Sequence, residues 1–162
     1  MYRVAFVLFF LINHTTIHAS NVAYIVISYE SVTDKPFYPI VLSSKSADSS
    51  VICKISKFRD KYEMNKVYLC NMGRKELNQV SQQFRKNLLL SRKIGNRFYG
   101  CFSISYYNKE GQLLKRFYTT TLDSSLLLFS KTKEYIESCS CTSYTIEYIN
   151  DVISRLKEVH SN

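Results

Sequence analysis

RFYGCFSISYYNKEGQLLKRFYTTT, residues Arg97 to Thr121, carries the strongest local instruction in the chain. Arg97 to Tyr107 is rich in β-branched and aromatic residues, Asn108-Lys109-Glu110-Gly111 fits a type I turn closed by a left-handed glycine, and Gln112 to Thr121 returns as a second strand. Pairing Asn108 with Gln112 places Phe98, Phe102, Ile104, Tyr106, Leu114 and Tyr118 on one face, which is then the core face. Arg116 falls on that face as well, opposite Ile104. This misfit signals either a shifted register or a paired, partly buried charge, and the shifted register is the preferred reading.

Two helices are expected after the hairpin. Asp123 caps a helix from Ser124 to about Ser138 with Leu126, Phe129 and Ile136 inward. Thr142 or Ser143 caps a last one, in which Ile146, Ile149, Ile153 and Leu156 form a stripe and Asp151 reaches Arg155 at i,i+4.

Before the hairpin, Leu77, Val80, Phe84 and Leu88 recur at three- and four-residue steps, which predicts an amphipathic helix from Arg74 to about Leu90 with Asn71 or Gly73 at its start. Further upstream, strands are expected at Val22 to Tyr29, Phe37 to Ser43, Val51 to Ile55 and Lys66 to Cys70. Pro39 marks the second of these as an edge. Strands come in runs and do not alternate with helices, so the reading is an α+β fold: a mainly antiparallel sheet with a central amphipathic helix, a hairpin and two C-terminal helices.

Composition agrees with a packed domain. The 162 residues are 46% hydrophobic with four Gly and two Pro, too apolar and too poor in breakers for a disordered or collagenous chain. The apolar run Val4 to Ile12, preceded by Arg3 and followed by a polar stretch ending at Ala19, reads as a secretory signal peptide over residues 1–19. That leaves a single α+β domain over residues 20–162, exported to the periplasm or the extracellular space, with no transmembrane segment in the mature chain.

Export removes His14 and His18 and leaves His160 at the extreme C-terminus. Ser-His and Cys-His nucleophile pairs, imidazole proton shuttles and His-containing zinc sites then have no positioned imidazole. Gly73, Gly95, Gly100 and Gly111 are too scattered for a phosphate-binding glycine loop. Paired carboxylates are an enzyme route that needs no histidine, and no such pair stands out. The expectation is a non-enzymatic protein with no catalytic residues, no metal and no cofactor.

The net charge of +9 is unevenly placed. Between Met64 and Lys109 stand Lys66, Arg74, Lys75, Arg85, Lys86, Arg92, Lys93, Arg97 and Lys109 against the single acid Glu76, while the flanking segments nearly cancel. On the expected helix, Arg74, Lys75, Arg85 and Lys86 fall opposite the apolar stripe. A charge run is ordinarily a solvated face, but a face without compensating acids steers acidic partners. The candidate binding residues are Arg74, Lys75, Arg85, Lys86, Arg92, Lys93 and Arg97. Their expected partner is an acidic protein, with an anionic polysaccharide or lipid head group as the alternative. Nucleic acid is disfavoured by export.

Cys53, Cys70, Cys101, Cys139 and Cys141 give an exported chain up to two disulfides and one thiol. Cys139-Ser140-Cys141 as a redox or metal pair is the lesser reading, because two cysteines one residue apart close a strained ring and no histidine completes a site. The general type, a small exported α+β protein without catalytic groups, is that of inhibitors and immunity-type proteins, an analogy of type alone.

Overall fold

The computed structural model of the chain describes residues 22–30, 37–44, 51, 68–95, 98–138 and 143–160. The strands are β1 (Tyr24–Tyr29), β2 (Ile40–Ser44), β3 (Tyr68–Met72), β4 (Leu90–Ser91), β5 (Phe102–Tyr107) and β6 (Leu113–Thr119). The helices are α1 (Arg74–Asn87), between β3 and β4, then α2 (Leu122–Ser138) and α3 (Ser143–His160) at the C-terminal end. The strands form one sheet in the order β3-β2-β1-β5-β6-β4. This is an α+β fold with a mixed sheet: four pairings are antiparallel, and β2 with β3 is parallel.

Strand alternation gives the sheet two different faces. Ile25, Ile27, Ile40, Leu42, Cys70, Met72, Phe102, Ile104 and Tyr106 join one buried cluster with Leu77, Val80 and Phe84 of α1, Phe129 and Ile136 of α2, and Ile149, Val152 and Leu156 of α3. The other face carries a small cluster of Tyr24, Val26 and Val41. Around it the sheet shows Ser28, Ser43, Ser103 and Ser105, all buried.

Pro39 does not make β2 an edge, since β2 lies between β1 and β3. The proline stands just before the strand, so its missing N–H removes no ladder bond, and its carbonyl accepts from the Tyr68 N–H at 3.0 Å. Of the strand expected at Val51 to Ile55, Val51 is helical and the remainder lies outside the described residues. The helix expected to run to Leu90 ends at Asn87, because Leu88 turns extended (φ −104, ψ 138) and the chain enters β4. Gly73 caps α1 without a side-chain hydrogen bond.

The turn at Asn108 forms as expected: Gly111 has φ +76, and Asn108 Oδ1 accepts from the backbone N–H of Glu110 and Gln112. The faces of β6 do not. Tyr107 pairs with Leu113, but Tyr106 pairs with Lys115, so Leu114 is an inserted residue and the register moves by one. Phe117, not Arg116, sits opposite Ile104. Leu114 is exposed, Tyr118 lies on the second face, and Arg116 donates from Nε to Ser105 Oγ at 2.8 Å.

Asp123 is within the first turn of α2 and Thr121 caps it. Thr121 Oγ1 accepts from the Ser124 N–H and Ser124 Oγ accepts from the Thr121 N–H, both at 3.1 Å, a reciprocal capping box. In α3 the Asp151 to Arg155 pair closes at 2.9 Å, and the Arg155 guanidinium lies 4.1 Å from the Phe37 ring centre. Tyr148 stacks on Tyr68 at 3.9 Å, accepts from the Tyr38 N–H and donates to its carbonyl, which ties the segment before β2 to α3.

Candidate functional site

Helix α1 presents its apolar stripe to the core because Leu77, Val80, Phe84 and Leu88 repeat with the helical period, and this fixes where its bases point. Arg74, Lys75, Arg85 and Lys86 are all exposed. Corresponding members of the two pairs are eleven positions apart, roughly 16 Å along the helix. Arg74 and Lys75 therefore belong to the end beside Glu76, and Arg85 and Lys86 to the opposite end. There the two bases also complement the negative end of the helix dipole, worth ~0.3–1 kcal/mol.

The fold adds a base that the linear reading missed. Lys115 projects from β6 on the helix-bearing face, directly across from Tyr106. Burial and then the neighbouring Arg92 and Arg85 hold its ammonium below the ordinary lysine value. Arg85, Arg92 and Lys115 thus converge from α1, the loop after β4, and β6, although they are far apart in sequence. Lys115 also lies 5.5 Å from the centre of the Phe117 ring. Its placement follows from the inserted Leu114, which a turn-anchored register cannot reveal.

Tyr106 is the floor of this convergence. Burial pushes its hydroxyl well above the ordinary tyrosine value, while the Arg85 charge and the Ser81 hydroxyl act the other way. Neither Tyr106 Oη nor Ser81 Oγ closes a hydrogen bond of normal geometry.

Lys86, Arg92 and Lys93 are exposed, and Arg97 lies outside the described residues. Among the described residues no carboxylate pairs with Arg85, Lys86, Arg92 or Lys93; the ion pairs lie on the hairpin turn, α2 and α3. Apolar side chains are exposed on the same stretches of chain: Leu89 is 73% exposed, Ile94 is exposed two residues after Arg92, and Leu114 is exposed beside Lys115 in sequence. Arg85, Arg92 and Lys115 are like charges close enough to repel one another, and such a cluster raises the local positive field.

Cys70 is disulfide-bonded. Cys101 is a buried thiol whose Sγ lies 3.7 Å from the Thr119 carbonyl. Cys53, Cys139 and Cys141 lie outside the described residues, so the partner of Cys70 lies there too. Among the described residues no group of three or more His, Cys, Asp or Glu side chains is placed to hold a metal ion, and no helix is long and apolar enough to cross a membrane. No protein-family model, no curated protein and no solved structure matches the chain.

Proposed function

We propose that this chain is an exported, non-enzymatic binding protein that acts on another, acidic protein, in the manner of an inhibitor or immunity-type factor. The observation that carries the reading is that Arg85, Arg92 and Lys115 lie close enough for their like charges to act on one another, with exposed Leu89 and Ile94 flanking Arg92 along the chain and exposed Leu114 preceding Lys115. Bases alone suit any polyanion. The interleaved apolar side chains favour a protein, whose interfaces combine a desolvated apolar centre with a polar rim. The apolar run at residues 4–12 and the disulfide at Cys70 support an oxidising compartment outside the cytoplasm.

The same surface suits an anionic polysaccharide or lipid head group through its charge alone, and salt separates the two readings. The tagged chain is used to recover its partner from the native source, and the partner is then identified by mass spectrometry and purified. The proposal predicts a protein of net negative charge that binds with one fixed stoichiometry and retains measurable affinity at high salt. Recovery of polysaccharide or lipid, with affinity falling linearly in log salt and no fixed stoichiometry, contradicts it.

A further inference from the structure

Paired basic residues stand at four places in the chain: Arg74-Lys75, Arg85-Lys86, Arg92-Lys93 and Lys115-Arg116. A protease that reads such a pair must draw the backbone around it out of the fold, so a pair is available only where that backbone is exposed and held by few contacts. Three of the four are built into regular elements. Arg74-Lys75 opens α1 between Met72 and Leu77, both buried, and the Leu77 N–H donates to the Gly73 carbonyl at 3.0 Å. Arg85-Lys86 lies in the last turn of α1 between Phe84 and Leu88, again both buried, and the Leu88 N–H donates to the Phe84 carbonyl at 3.2 Å. Lys115-Arg116 belongs to β6, where it pairs with Tyr106 and Ser105 of β5, and both side chains are half-buried.

Arg92-Lys93 is placed differently. The chain leaves β4 at Ser91 and has no regular structure from Arg92 to Gly95, and all four of these residues are exposed. The Lys93 N–H donates to Ser91 Oγ at 3.2 Å, a contact within the turn itself. A Cβ on Gly95 would meet nothing within 4 Å, so the chain just past Ile94 borders open space. Behind the pair, Leu90 and Ser91 are held against Thr119 and Tyr118 of β6. An exposed segment that leaves an anchored strand in this way is where a folded chain is nicked.

We propose that Arg92-Lys93 is a processing site, at which an endoprotease of paired-basic specificity cuts the folded chain after Lys93. The peptide bond from Lys93 to Ile94 is hydrolysed: water gives its hydroxyl to the Lys93 carbonyl carbon and a proton to the Ile94 nitrogen, which becomes a new amino terminus. The fold then holds the products together. The piece ending at Lys93 carries β1 to β4 and α1, and the piece starting at Ile94 carries β5, β6, α2 and α3. They interlock where β1 pairs with β5 from Tyr24 to Tyr29 and where β4 pairs with β6. One core cluster draws on both, with Ile25, Leu42 and Phe84 from the first piece and Ile104, Phe129 and Leu156 from the second. None of this depends on which partner the basic surface takes.

The test has two arms. Protein purified from the native source is reduced, denatured and read by N-terminal sequencing and mass spectrometry. The expected result is a piece beginning at Ile94 beside one ending at Lys93, the two eluting as a single species before denaturation. In the second arm the full chain, folded or denatured, is treated with an endoprotease that accepts both Arg-Lys and Lys-Arg. The denatured chain should be cut at every pair. The folded chain should be cut after Lys93 faster than at any other pair by more than about tenfold, because elsewhere cleavage waits for an element to open. The Arg92→Gln/Lys93→Gln variant should lose that fast cut while keeping its thermal unfolding temperature. Native protein without an Ile94 terminus overturns the proposal. A folded chain cut first at one of the other three pairs, or no more readily at Lys93 than at those, overturns it as well.

Discussion

Gly100 has φ +89, a region that disfavours every side chain, and a Cβ there would lie 2.8 Å from Leu122 Cδ1 and 2.9 Å from Leu156 Cδ2. Its N–H donates to the Tyr29 hydroxyl, and its carbonyl accepts from Ser125 Oγ, so the position joins β1, α2 and α3. Gly100→Ala should lower unfolding free energy in urea by about 1–3 kcal/mol. Gly95→Ala, where a Cβ meets nothing within 4 Å, should change it by no more than about 0.5 kcal/mol. Lys115 gives a second prediction on the same scale. Its folded-state value is lowered by burial and by Arg92 and Arg85, so between that value and the ordinary lysine value the unfolded chain binds more protons than the folded one. Its contribution to stability therefore rises with pH across that window. Arg92→Gln should move the Lys115 titration upward by NMR; an unmoved titration would mean that the two charges do not share a surface.

The hairpin shows what a local signal conveys and what it leaves out. Asn108 and Gly111 specify their turn through their own side-chain and backbone chemistry, and the turn forms where the sequence puts it. Leu113 and Leu114 are equally apolar and both exposed, so nothing in the sequence distinguishes a paired residue from an inserted one. The misplacement of Arg116 on the core face was the sign of that insertion. Deleting Leu114 should therefore leave Ile104 opposite Phe117, and the shortened chain should keep a single cooperative thermal transition and the Ile104 to Phe117 contacts in NMR. Loss of folding would mean that the bulge is needed for closure of the hairpin. The helices were legible for the opposite reason, because each stripe repeats through several turns. Their ends were not: Leu88 to Leu90 continues an apolar run whether the backbone stays helical or becomes β4. The parallel pairing of β2 with β3 is a non-local choice that no window of sequence contains.

Across the whole molecule the basic excess was legible as a charge count and not as a surface. Sequence order joins Arg74, Lys75, Arg85 and Lys86 into one stripe, whereas the fold separates the first pair from the second and brings Lys115 to Arg85 and Arg92. The exposed Leu89 was hidden inside the apolar run Leu88 to Leu90, and nothing in the sequence around Ile94 marked it as exposed. Affinity of the purified partner for the Arg85→Glu/Arg92→Glu variant, measured beside its thermal unfolding, tests the proposed binding surface most directly. Reversing exposed charges normally moves stability by no more than about 0.5 kcal/mol, while like charges brought together across an interface cost several kcal/mol. The account predicts more than tenfold weaker binding with an unchanged unfolding temperature. Unaltered affinity at low salt would contradict it and move the functional face away from this surface.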